Sequence, residues 1–220
     1  MPQSSHRLKL DPTTQINYLL HLPDAYQREP QQQWPLILFL HGSGERGDVI
    51  DTVRTVGLPK RLEVMPDFPF IVLSPQCPNE ERWPEQADKV MRLVDTLLPS
   101  LRVDKRRVYL TGLSLGGEGA WFLGALHPER FAAVLPICGR IPAVEGFPQQ
   151  VCELKSVPVW VFHGAQDAQV PVENSVTLAK ALADCGGNVT LTIFEDGDHF
   201  CWGRVYENPA TWEWLMRWQK

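Results

Sequence analysis

Val108-Tyr109-Leu110-Thr111-Gly112-Leu113-Ser114-Leu115-Gly116-Gly117 decides the reading of this 220-residue chain. An apolar, β-branched run feeds into Gly-x-Ser-x-Gly, and a small-residue segment of helical character follows. Strand, sharp turn carrying a serine, then helix is the pattern of a nucleophile elbow, which lifts a serine hydroxyl clear of a sheet. The turn needs glycines because its backbone is strained and neighbouring chain packs close on both sides. The helix N-terminus behind the serine favours the negative charge that develops in acyl transfer. The bare five-residue pattern arises by chance in roughly one chain of this length in fifteen. Its flanks carry the weight: 107–110 reads as a strand, and 118–126 as a helix that stops at His127-Pro128.

An activated serine needs a base, and the base needs an orienting acid. Downstream, Pro158-Val159-Trp160-Val161-Phe162-His163-Gly164 reads as a buried strand, and Asp167 lies in the loop just past its end. The next strand, 189–194, runs into Glu195-Asp196-Gly197-Asp198-His199. Ser114, Asp167 and His199 therefore all fall where parallel strands present their carboxyl ends, the place where open α/β sheets bind ligands. Each has a plainer reading. Asp167 would also cap the helix beginning near Val172, and His199 would serve as a surface loop residue. Asp196 and Asp198 are rival acids, but they sit too close in sequence to orient the His199 ring and read as turn residues around Gly197. His41 and His163 each precede a glycine at a strand end and look structural, His127 looks like a helix C-terminal residue, and His6 and His21 lie too early. Cys201, the one rival nucleophile, is too near His199 on one loop for attack.

A second glycine motif follows the buried strand at 35–41: Gly42-Ser43-Gly44-Glu45-Arg46-Gly47, a literal Gly-x-Gly-x-x-Gly. A dinucleotide fingerprint opens the first βαβ unit and is followed about twenty residues on by an acid at the end of a second strand. Here two strand-like segments precede it, and Glu63 and Asp67 lie before the next strand rather than at its end. A strand ending in His-Gly with a glycine-rich loop instead supplies one half of an oxyanion hole. The expected donors are the N–H groups of Ser43, with Gly44 as the fallback, and of Leu115, the residue after the nucleophile.

Taken in order, His41-Gly42-Ser43-Gly44-Glu45-Arg46-Gly47, Ser74-Pro75-Gln76-Cys77-Pro78, Val103-Asp104, the elbow, Phe162-His163-Gly164-Ala165-Gln166-Asp167 and Gly197-Asp198-His199 resemble the α/β-hydrolase superfamily. More narrowly, the chain is similar to the cap-less serine esterases of the phospholipase/carboxylesterase and dienelactone-hydrolase-like groups, especially the bacterial "predicted peptidase" branch. The resemblance covers the chain from about residue 35 onward. It implies an α/β-hydrolase fold and an ester hydrolase working through an acyl-enzyme on Ser114, with no metal or cofactor. Dienelactone hydrolases use a cysteine nucleophile, so their substrate chemistry is not implied at Ser114. Glu118 stands where relatives often carry an aromatic. A peptidase or amidase using the same triad, and a hydrolase-fold binding protein with little turnover, are the alternatives.

Length and 44% hydrophobic residues fit one domain, 1–220, with a substantial core. Alternating strands and helices predict a mostly parallel sheet of about eight strands flanked by helices, opened by an antiparallel hairpin of 7–10 with 15–22, and with no room for a cap domain. No run approaches a membrane span, and the polar N-terminus shows no secretory signal. The five scattered cysteines read as reduced thiols of a cytoplasmic protein, and a net charge of −5 argues against nucleic acid. A small-molecule ester is the expected partner; oligomeric state is not legible. Trp83 and Trp202 fall in segments expected to border the site and, with Gly44, are the candidate pocket residues. The segment 141–155 shows little periodicity and reads as loop.

Overall fold

In the computed structural model, residues 3–65 and 67–220 are described. Eight strands form one sheet in the order β1-β2-β4-β3-β5-β6-β7-β8. Strands β1 (Ser4–Lys9) and β2 (Gln15–His21) make the antiparallel hairpin, and β2 joins β4 (Ile71–Pro75) antiparallel. From β4 onward the pairing is parallel through β3 (Trp34–Leu40), β5 (Val103–Leu113), β6 (Ala133–Ile137), β7 (Val159–Gly164) and β8 (Val189–Phe194).

Helices cover both faces, which explains why β3 is apolar throughout instead of alternating. All seven of its residues are buried. Leu36, Leu38 and Leu40 pack on one face with α2 (Trp83–Leu97), α3 (Leu115–Leu126) and α4 (Glu173–Asp184). Ile37 and Phe39 pack on the other with α1 (Gly57–Leu62), α5 (Trp202–Tyr206) and α6 (Pro209–Met216). The period of two along a strand divides the core into these two layers.

Three expectations change. The segment 141–155 is not all loop: a 3-10 helix, Gln149–Ser156, buries Val151 and Leu154 completely against the core. Its spacing of three residues is too short for a helical stripe to show in sequence. The helix α5 was not expected either, being only five residues long. The cysteines are not all free. Cys152 on the 3-10 helix and Cys185 after α4 form a disulfide with a Cα–Cα separation of 5.7 Å, whereas Cys77, Cys138 and Cys201 are free and buried. Thirty-three residues separate the pair in sequence, and only the docking of that 3-10 helix beside α4 brings them together.

Candidate active site

β5 ends at Leu113 and α3 begins at Leu115, so Ser114 alone makes the turn. Its φ of 54° and ψ of −116° lie in a region a side chain rarely adopts, the strained backbone of an elbow. The glycines around it are required by contact. A Cβ on Gly116 would sit 1.9 Å from Leu40 O, and one on Gly112 would sit 2.2 Å from Gly116 O. The Ser114 N–H is tied to Ile137 O at the end of β6 (2.9 Å). The turn is thus pinned between β3 and β6.

The Ser114 hydroxyl lies 2.9 Å from His199 Nε2, and His199 Nδ1 lies 2.6 Å from Asp167 Oδ2. A carboxylate only accepts, so Nδ1 carries the proton and Nε2 is left to accept from the serine. His199 is 5% exposed and the Asp167 side chain is 0% exposed. Burial alone would push the Asp167 carboxyl up. The N–H groups of Val170 and Gln169, each donating to Oδ1 at 2.8 Å, together with His199, outweigh burial and hold it below the ordinary carboxylate range. Asp167 is therefore ionised and hydrogen-bonded to His199, and it caps no helix, α4 starting only at Glu173. The rival acids point elsewhere: Asp196 pairs with Arg204, and Asp198 accepts from the Phe200 N–H at 2.8 Å in an exposed turn.

His163, read from sequence as structural, also hydrogen-bonds the Asp167 carboxylate. Its Nε2 donates to Asp167 Oδ2 (3.1 Å) and Val170 O (2.9 Å), while Nδ1 accepts from the Ser175 hydroxyl at 2.7 Å. Burial keeps this ring below the usual histidine range, hence neutral. Its one sequence signal was the four-residue spacing to Asp167, which is informative only once the loop is folded back.

Ser43 and Leu115 line one cavity together with Ser114. Each opens a helix, Ser43 the 3-10 turn Ser43–Glu45 and Leu115 the helix α3. First-turn N–H groups have no intrahelical acceptor and are available to a ligand. His41 fixes this loop from below. The Cys77 N–H donates to its Nε2 (3.0 Å), so its Nδ1–H donates to Gly42 O (2.6 Å). Burial lowers the His41 pKa to about 4. A depressed histidine pKa contributes stability that is full above the unfolded value, near 6.5, and is lost as pH falls toward 4. His41 is thus expected to carry about 3 kcal/mol of acid-sensitive stability. Urea unfolding of wild type and His41→Asn at pH 7 and pH 4.5 checks this. The gap between the two proteins should narrow on acidification, and a constant gap would refute it.

Two cavities meet at Ser43, Ser114, Gln169 and His199. The first, about 170 Å³, adds Arg82, Leu115, Glu118, Arg140 and Val170. The second, about 210 Å³, adds Gly44, Trp202 and Phe200 among others, and the Trp202 ring meets His199 edge to face at 5.6 Å. Trp83 is a correction. It lines neither cavity, is fully buried, donates from Nε1 to His41 O (3.0 Å) and packs so tightly on α3 that a Cβ on Gly119 would be 2.6 Å from its own. As the first residue of α2 it faces the core; Arg82, one residue earlier, reaches the cavity instead. Arg82, Glu118, Arg140 and Gln169 were not singled out as pocket residues from sequence. The only signal was the unusual charge at position 118.

The Sγ of Cys138, a carboxylate oxygen of Asp167 and a ring nitrogen of His199 lie within 4.8 Å of one another. Burial, reinforced by Cys201, pushes the Cys138 thiol well up. Within this group Asp167 and His199 hydrogen-bond each other.

The sequence pattern of the phospholipase/carboxylesterase family matches residues 63–211, and the chain belongs to that family, with its α/β-hydrolase fold. Among individual proteins, it is 30% identical over 200 residues to a protein described as putative esterase NocK of Nocardia uniformis subsp. tsuyamanensis, covering 84% of this chain and 55% of that protein. It is 26% identical over 184 residues to feruloyl esterase C of Emericella nidulans, covering 79% and 64%. The crystal structure of a thermostable esterase superposes with a TM-score of 0.83 at 33% identity, covering all of this chain and 64% of that one. The chain thus spans between half and two thirds of the length of these relatives. Among the described residues no helix is long and apolar enough to cross a membrane.

Proposed function

We propose that this protein is a serine hydrolase that cleaves small to medium carboxylic esters, and that Ser114, His199 and Asp167 are its catalytic residues. The observation that carries the reading is the unbroken run of hydrogen bonds from the Ser114 hydroxyl through His199 to a buried, ionised Asp167. His199 Nε2 takes the Ser114 proton as the hydroxyl oxygen attacks the ester carbonyl. The N–H groups of Ser43 and Leu115 hold the resulting oxyanion; one such donor is typically worth about 2.7–4 kcal/mol. The alcohol leaves with the proton from His199, and water attacks the acyl-enzyme by the reverse route. The two cavities on either side of Ser114 give the acyl and alcohol portions separate places, with Gly44 and Trp202 lining one of them.

The whole chain, 1–220, is taken as one domain that carries this activity, because one sheet runs through all eight strands. The cytoplasm is the compartment proposed from the free thiols of Cys77, Cys138 and Cys201; the Cys152–Cys185 disulfide, which favours an oxidising compartment, is the observation against it. A fluorophosphonate probe tests the central reading without knowledge of the substrate. It should label the folded protein at one site, mapped by peptide mass to Ser114. Failure to label would reject an activated serine.

A further inference from the structure

The cavity on the α2–α3 side of Ser114 is walled by charge rather than by hydrocarbon. Glu118, on the first turn of α3, is 1% exposed. An unpaired carboxylate at such a site would be costly, and Arg82 compensates it. Arg82 Nε donates to Glu118 Oε1 at 3.3 Å, and its Nη2 donates to Oε2. Both carboxylate oxygens are therefore occupied by one guanidinium, the two-point arrangement that fixes a fork in place.

Arg140 is differently placed. The chain leaves β6 through Cys138, whose φ is +42°, and Gly139, and sets Arg140 at the mouth of the same cavity. Its Nη2 donates to Gln169 O at 3.1 Å, which holds the guanidinium on the loop that carries Asp167. No carboxylate of the described residues lies within 4.0 Å of it. Two guanidiniums and one carboxylate thus share the lining, and Glu118, hydrogen-bonded to Arg82, meets Arg140 only through space. An amine on the ligand would have to compete with Arg82 for Glu118. An anion meets the donors that Arg140 leaves unused.

We propose that this cavity is a carboxylate subsite: the ester this protein hydrolyses carries an anionic group, held by Arg140 beside Ser114, with the Arg82–Glu118 pair as the fixed wall. The inference rests on the esterase reading above and narrows it to half-esters and carboxylated esters. The carboxylate belongs either to the acyl part or to the alcohol part, and the two arms of the test separate these.

The experiment compares kcat/KM of wild type, Arg140→Gln and Arg140→Lys. In the acyl arm, 4-nitrophenyl hemisuccinate is set against 4-nitrophenyl butyrate. In the alcohol arm, 3-carboxyphenyl butyrate is set against phenyl butyrate. A charge-assisted hydrogen bond made to the carboxylate alone predicts that Arg140→Gln lowers the anionic-to-neutral ratio by at least about tenfold in one arm. Arg140→Lys should restore part of it, since a point charge replaces the fork. A smaller change in both arms overturns the subsite while leaving the esterase reading intact. No turnover of any of the four esters by wild type overturns the esterase reading, and the subsite with it.

Discussion

Replacing Ser114 with alanine is expected to lower kcat for a short-chain aryl ester by at least about a thousandfold. The hydroxyl lies within reach of His199 Nε2, at 2.9 Å, and its removal would leave the proposed oxyanion donors and the two cavities without the proposed nucleophile. Such remnants typically sustain a residual rate above that of water, so a measurable but small kcat with little change in KM is the expected form of the loss. Stability should change little, because the strain at φ 54° belongs to the backbone and persists in the variant. Steady-state kinetics with thermal melting in parallel measures both. Retention of more than a tenth of the wild-type rate would remove Ser114 from the mechanism.

Asp167→Asn should be nearly as damaging, lowering kcat by about three to four orders of magnitude. Asp167 Oδ2 accepts from His199 Nδ1 (2.6 Å) and from His163 Nε2 (3.1 Å). An amide at this place retains one acceptor oxygen. The N–H groups of Gln169 and Val170, which donate to Oδ1 at 2.8 Å, compete for that oxygen. The amide NH₂ would then face His199 Nδ1 and favour the tautomer with the proton on Nε2, which is unable to accept from Ser114. Asp198→Asn, in the exposed turn beside His199, is the matched control and should stay within about twofold of wild type, since surface changes of this kind are small. If the change at 198 proved the more harmful, the acid would have been misassigned.

The elbow was legible because it depends on local sequence. Gly112 leaves room for Gly116 O and Gly116 for Leu40 O, and an apolar strand and a small-residue helix flank the serine. Asp167 and His199 were legible for a related reason: parallel strands end in loops on one side of the sheet, so strand ends mark the site before any contact is known. His163 was harder to see, since its role depends on a loop folding back over four residues. The cavity walls were not legible. Whether Trp83 or Arg82 lines the site depends on the rotation of α2 about its axis, which shifts by about 100° per residue. Packing of Trp83 against α3 and His41 sets that rotation.

By itself, the amino-acid sequence determined the α/β architecture, the serine turn and the order of its partners, because strand period, glycine placement and loop position are properties of short segments. Tertiary structure alone decided that Arg82 closes on Glu118, that Arg140 opens onto the same space, and that Cys152 meets Cys185. These depend on how helices and loops distant along the chain dock on the sheet, and no local pattern encodes that docking.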